Sequence, residues 1–272
     1  MRRCVRGETA KYTTRDPDMP RTDNIIFGVR AIIEALEAGK EIEKVLVKQG
    51  SGSDIFREMI RMLRERQTVI QHVPAEKLNR ITRKNHQGVI AYLSEVSYSD
   101  LSLLIPGIYE AGESPLVLIL DQITDVRNFG AIARSAECAG VHAIVIPKRG
   151  SAMINADAVK TSAGALHKIP VCRFDNLIDA LKLLKENGLQ IFASTEKANT
   201  VLFRADLGGP AAIILGSEDR GISPELVKHA DHLISIPMKG TISSLNVSVA
   251  AGIILFEAIR QRSSTTQAAD GG

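Results

Sequence analysis

The chain has 272 residues, 44% hydrophobic and 24% charged, with a formal net charge of +3. That is length for one large or two modest domains, with apolar material to bury a sizeable core. Aromatic residues at 4% with no tryptophan exclude an extended base-stacking platform, and three isolated cysteines, Cys4, Cys138 and Cys172, exclude a disulfide framework or a structural zinc site.

Residues 1–23 hold six Arg/Lys against four Asp/Glu without periodicity and read as a disordered basic leader. The pattern changes at Asn24. GVRAIIEALEAG has helical spacing closed by Gly39, KVLVK is a strand, and DIFREMIRMLRER is an amphipathic helix. TVIQHV is a strand, PAEKLNRI a helix opened by Pro74, and GVIAYL another strand. Residues 24–99 thus form a small alternating α/β unit with twelve Lys/Arg and nine Asp/Glu. Arg80, Arg83 and Lys84, next to the NHQGV segment, are its candidate phosphate contacts. Residues 100–114, DLSLLIPGIYEAGES, combine acids, glycines and a proline and read as a linker.

Beyond it the alternation resumes. The strands are LVLILD, HAIVIP, KIPVCR, QIFAST, AAIILG and LISIPM. The helices are Asn128 to Gly140, a short one near Ala156 to Ala163, NLIDALKLLKENG, one from Ser223, and a closing helix from Asn246. Strands taking turns with helices predict a mostly parallel sheet covered on both faces, over 115–262, with a polar tail at 263–272. His229 and His232, flanking Asp231, read as surface histidines at a helix end. No run approaches the ~18 apolar residues of a membrane helix and the start has no apolar signal region, so the expected location is cytoplasmic.

Open parallel sheets bind ligands beyond the carboxyl ends of their strands, and three loops there are unusual. In DQITDVRNFGAIARSAECAG, Asn128 is positioned to cap a helix, Gly130 permits close approach of another backbone, and Arg134 follows six residues after Asn128. In ILGSEDRGIS, Gly216 and Gly221 bracket Glu218, a loop that bares backbone amides and carbonyls to a flat ligand. In IPMKGTISSLNVSVAAGIILFEAIR, Ser243, Ser244 and Asn246 stand at the mouth of a helix too apolar to face solvent on any side. Buried polar groups require partners, and a ligand can provide them. There is no GxxxxGK[ST], no GxGxxG after a strand and no GxSxG, which argues against a P-loop nucleotidase, a standard dinucleotide site and a serine hydrolase. SAGAL at Ser162 to Leu166 reads as close helix packing.

Taken together and in order, NFGAIAR, LGSEDRGIS and IPMKGTISSLNVSVAAGIILFEAI resemble the three motifs of the SpoU/TrmH branch of the SPOUT RNA methyltransferases. Residues 24–99 are similar to the substrate-binding domain of its ribosomal members, and the ordered chain as a whole most resembles the bacterial 23S rRNA guanosine 2′-O-methyltransferases. The resemblance implies an α/β sheet with a trefoil knot, S-adenosylmethionine as cofactor, and a homodimer joined through the knotted domain. It implies cofactor contacts from Gly216, Ile236 and Leu245, with Thr195 and Met238 alongside, and a catalytic set of Arg134, Asn128, Glu218, Ser244 and Asn246. No metal is implied. The reaction would be attack of a ribose 2′-hydroxyl of RNA, foremost a 23S rRNA guanosine, on the sulfonium methyl. A guanidinium is in effect always protonated, so Arg134 suits a phosphate clamp better than a proton acceptor. Glu218 would hold Arg134 or Asn128, and Ser244 and Asn246 would shape the pocket. A tRNA 2′-O-methyltransferase and a non-catalytic ribosome-assembly protein are the alternatives.

Overall fold

The computed structural model describes residues 24–50, 52–242 and 244–269. The expected basic leader, with Cys4, lies outside the described residues, as does Ser243.

The first unit contains β1 (Ile25–Phe27), α1 (Val29–Glu37), β2 (Ile42–Lys48), α2 (Asp54–Glu65), β3 (Val69–Val73), α3 (Ala75–Ile81) and β4 (Val89–Leu93). Its sheet runs β1-β4-β2-β3, with β2 parallel to β3 and antiparallel to β4. Alternation along β2 sends Val45 and Val47 to one face, where they pack with Ile32 and Leu36 of α1 and Met59 and Leu63 of α2. Leu46 goes to the other face, with Leu78 of α3 and with Ile90 and Tyr92 of β4. Pro74 precedes α3 as its N-cap and is not its first residue.

Residues 100–114, expected to be a linker, are largely helix α4 (Leu101–Glu110). The Asp100 carboxylate caps it, accepting from Ser102 N at 2.9 Å, and Leu101 and Ile105 are buried in the core of the second unit. Three acids, two glycines and Pro106 obscured a helix whose apolar face points inward.

The second unit continues with β5 (Leu116–Asp121), α5 (Val126–Cys138), β6 (Ala143–Pro147), α6 (Ala156–Thr161), β7 (Val171–Phe174), α7 (Leu177–Glu186) and β8 (Gln190–Ser194). It ends with β9 (Thr200–Val201), β10 (Ala211–Gly216), α8 (Pro224–His229), β11 (His232–Ser235) and α9 (Val247–Ala269). The strands lie in the order β7-β6-β5-β10-β8-β11-β9, and each neighbouring pair is parallel. One face is covered by α5 and α9 through Phe129, Ile132, Ile254 and Leu255. The other is covered by α4, α7 and α8 through Ile105, Leu181, Leu184 and Leu226. The polar stretch expected as a tail after Arg262 belongs to α9 as far as Ala269. No helix among the described residues is long and apolar enough to cross a membrane.

Two details of packing bear on the sequence. Gly130 is required by helix contact: a Cβ there would lie 2.7 Å from Thr161 Cβ and 2.9 Å from Ala158 O of α6. His232 lies within β11, its ring stacked on Phe192 at 4.8 Å.

Candidate active site

Chain order explains where a crevice forms. From β5 the sheet grows outward through β6 to β7, then restarts at β8, leaving a gap that β10 later fills. The strand order reverses there, and loops leaving neighbouring carboxyl ends diverge. On the β10 side of that reversal, the segments after β8, β10 and β11 enclose a cavity of about 560 Å³, lined by Thr195, Gly216, Ile236, Met238, Ser244 and Leu245 among others. All five expected cofactor contacts, and Ser244, therefore line one cavity.

Gly216 makes the crevice possible by close approach. A Cβ on it would fall 2.0 Å from the carbonyl carbon of Gly221 and 2.2 Å from Ile222 N. The loop folds back because Gly221, at φ +66°, donates its N–H to Ser217 O at 2.8 Å. Asp121, buried at the end of β5, accepts from Ser223 N at 2.7 Å and ties the far end of that loop to the sheet. In the sequence Asp121 is marked only as the last residue of an apolar strand, a weak signal for an anchor of this kind.

Beside the crevice stands a polar cluster drawn from all three loops. Glu218 Oε1 accepts from Asn128 Nδ2 at 3.3 Å, from Val247 N at 3.2 Å and from Asn246 Nδ2 at 2.5 Å. Asn246 Nδ2 also donates to Asn128 Oδ1 at 3.0 Å. Its own Oδ1 accepts from Ser248 N at 3.0 Å, holding the first turn of α9. A carboxylate meeting the amino end of a long helix is electrostatically favoured. Asn128 does not cap α5 as expected: Asp125 does, accepting from Arg127 N at 2.7 Å and Asn128 N at 2.8 Å. Relieved of capping, the Asn128 side chain is available to the cluster.

Arg134 stands apart. It is exposed on α5, about 9 Å further along the axis than Asn128, and makes no hydrogen bond or ion pair with the described residues. Glu218 contacts Asn128 and not Arg134. Glu196, Lys197, Asp219 and Arg220 also line the crevice, and sequence reasoning named none of them.

The SpoU rRNA methylase family model matches residues 115–256, and the model for RNA 2′-O ribose methyltransferase substrate binding matches residues 25–99. The chain belongs to the SpoU rRNA methylase family. It is 38% identical over 244 residues to the 23S rRNA (guanosine-2′-O-)-methyltransferase RlmB of Escherichia coli K12, covering 88% of this chain and 99% of that one. It is 39% identical over 241 residues to an uncharacterised tRNA/rRNA methyltransferase of Synechocystis, covering 88% of this chain but 63% of that relative's length. Among solved structures, the SpoU methyltransferase AviRb of Streptomyces viridochromogenes in complex with AdoMet superposes with a TM-score of 0.56 at 28% identity, covering 88% of this chain and 90% of that one. In this SpoU family chain the second and third motif loops line the crevice beyond β8, β10 and β11, and all three loops meet beside it in the Asn128–Glu218–Asn246 cluster.

Proposed function

We propose that the protein transfers a methyl group from S-adenosylmethionine to a ribose 2′-hydroxyl of RNA, a guanosine of 23S rRNA being the favoured substrate, in the cytoplasm. The observation that carries this reading is the Asn128–Glu218–Asn246 cluster, which joins the first motif loop to the two that line the crevice, in a chain similar over 88% of its length to a 23S rRNA guanosine 2′-O-methyltransferase. The cavity falls in the range of small-ligand sites, about 300–1,000 Å³. Its wall, with main chain at Gly216, Ile236 and Leu245 and the flexible Met238, suits an adenosine.

S-adenosylmethionine supplies the electrophilic methyl when bound. The protein's contribution is placement, since aligning two reactants is worth an effective molarity of about 10⁵ M or more. Asn128, Glu218 and Asn246 lock the amino ends of α5 and α9 together, so the loops shaping the crevice hold their spacing. Ser244 is at the wall to hydrogen-bond ribose or cofactor. Arg134, exposed and without a hydrogen bond or ion pair among the described residues, clamps a target phosphate and stabilises the developing alkoxide.

The working unit in this reading is a homodimer. Val249 and Phe256 of α9 are 50% and 53% exposed, seven residues apart and so on one helix face, and Ile242 is 73% exposed in the preceding loop. A second copy against this stripe explains why a helix so apolar has an uncovered side. The loop from β11 to α9 is, by the same reading, threaded as a trefoil knot. Val249→Asp with Phe256→Asp is expected to give monomers by analytical ultracentrifugation and to abolish methyl transfer; an unaltered sedimentation coefficient would place the interface elsewhere.

The test of function is transfer of labelled methyl to protein-free 23S rRNA, 16S rRNA and bulk tRNA, followed by mapping of alkali-resistant linkages. Label at one 23S guanosine ribose supports the reading. Label in tRNA retains the mechanism and replaces the substrate; cofactor binding without label in any RNA or pre-ribosomal particle favours a non-catalytic assembly role.

A further inference from the structure

Six residues, Ser94 to Ser99, join the two units, and they are stitched to the second one. Glu95 N donates to Ile154 O at 3.5 Å and Ser99 N to Val171 O at 2.9 Å, while Tyr98 pairs with Val171 as a further parallel bridge on the sheet edge. Around this seam lies a buried polar group that the proposed reaction does not use. Glu43, from β2 of the first unit, is 8% exposed. Its Oε2 accepts from Arg173 Nη1, on β7 of the second unit, at 3.1 Å, and from the Tyr98 hydroxyl. The Arg173 guanidinium also lies 3.5 Å over the Tyr98 ring, and Ser94 Oγ donates to the Tyr98 oxygen at 3.4 Å. Burial, together with Glu43, pushes the Tyr98 phenol far above its ordinary range, so it stays a donor.

Two further contacts converge on the same side. Lys148, at the end of β6, donates to Gln67 of the first unit at 2.6 Å and to Asp175 at 2.9 Å. Met153, in the loop after β6, packs against the Leu46, Leu78 and Tyr92 cluster of the first unit. The adjacent Ala152 N donates to Ile123 O, two residues past Asp121. The first unit therefore sits at the carboxyl end of the sheet edge, the end that carries the crevice. Three strand spacings, about 14 Å, separate β7 from β10.

A surface ion pair would contribute little to such a contact, but a desolvated carboxylate with two donors is directional and costly to misplace. We propose that Glu43, Tyr98 and Arg173 form an orientation lock, holding the RNA-binding unit in one pose over the β7 edge so that RNA gripped there presents its target ribose at the crevice. These are positioning residues; they touch neither cofactor nor reacting atoms. The inference rests on the RNA-methyltransferase reading above.

The test uses the full chain. Glu43→Arg and Arg173→Glu, each alone, are expected to leave the S-adenosylmethionine Kd within about twofold, because the crevice lies three strands away. Each is expected to lower kcat/KM for long RNA at least tenfold, and the double exchange to regain most of the loss. Should a reversed charge impair folding, Glu43→Met with Arg173→Met replaces the group by apolar residues of similar size; it should fold and still lose kcat/KM. Spin labels, one in each unit, should show a single inter-unit distance in the native chain and a broad distribution in the single variants. A narrow distance in the single variants, or kcat/KM unchanged by them, overturns the lock, as does failure of the double exchange to restore. Because the distance readout needs no catalysis, absence of methyl transfer by the native chain would sink the function and leave the lock separately decided.

Discussion

Replacing Gly216 by alanine tests the physical account of the crevice most directly. The added methyl would lie 2.0 Å from Gly221 C and 2.2 Å from both Gly221 O and Ile222 N. Ordinary carbon contacts are about 3.5–4.0 Å, so β10 and the returning loop must part by roughly 1.5 Å. Every clashing atom is backbone, so no rotamer change relieves it. Parting weakens the Gly221 N to Ser217 O bond, worth about 1 kcal/mol, and the Ser223 N to Asp121 bond, worth about 1.5–3 kcal/mol for a charged acceptor. The expected cost is therefore about 2–4 kcal/mol. Scanning calorimetry should show Tm lower by roughly 10 °C, and isothermal titration should show S-adenosylmethionine binding weakened by more than about tenfold, a loss of ~1.4 kcal/mol or more. Gly209→Ala is the control, since a Cβ there meets nothing within 4 Å; its effect should stay within about 0.5 kcal/mol. A Gly216→Ala protein with native Tm and native cofactor affinity would refute the close-approach argument.

Three further outcomes are expected. Arg134→Ala should keep cofactor affinity and lose nearly all turnover, because the exposed side chain makes no hydrogen bond or ion pair among the described residues and is not part of the crevice lining; parallel loss of both in titration and single-turnover assays would instead mark it as structural. Burial pushes the Cys172 thiol up to about 12 while Cys138 is exposed, so iodoacetamide at about pH 8 should label Cys138 in the native protein and reach Cys172 only after denaturation, as read by peptide mass spectrometry. Hydrogen bonding to Arg260 and then Gln261 brings the Glu257 carboxyl down to about 2, against about 4.3 in an unfolded chain. A depressed folded value stabilises above the unfolded one and is lost as pH falls between them. Urea unfolding should thus show Glu257→Gln destabilised at about pH 6 and the difference closing toward pH 2; a constant difference would contradict the pairing.

The alternating α/β plan, the parallel sheet and the three loops at strand ends were legible in the sequence because each rests on local periodicity. Runs such as LVLILD and AAIILG are apolar throughout, as strands buried on both faces must be. Short elements escaped: β1 has three residues and β9 two, below the length at which any period is visible. Helix α4 escaped for another reason. Its glycine and proline carry the local signal of a loop, and the burial of Leu101 and Ile105 overrides it.

The sequence by itself singled out the candidate side chains: Asn128, Glu218, Asn246 and Arg134, and the set from Thr195 to Leu245, were visible as residues of unusual loops or of a resembling motif. What only the tertiary structure decided is who holds whom. Asp125 rather than Asn128 caps α5, Glu218 binds Asn128 and Asn246 rather than Arg134, and Asp121 anchors a loop 102 residues away. The insertion of β10 between β5 and β8 is set by the pairing of distant strands, and the Glu43–Arg173 contact across 130 residues by the packing of one unit on the other. Helical and strand periods report each segment's own faces. They carry no term for which distant segment those faces meet, and that pairing is settled when the whole core is buried at once.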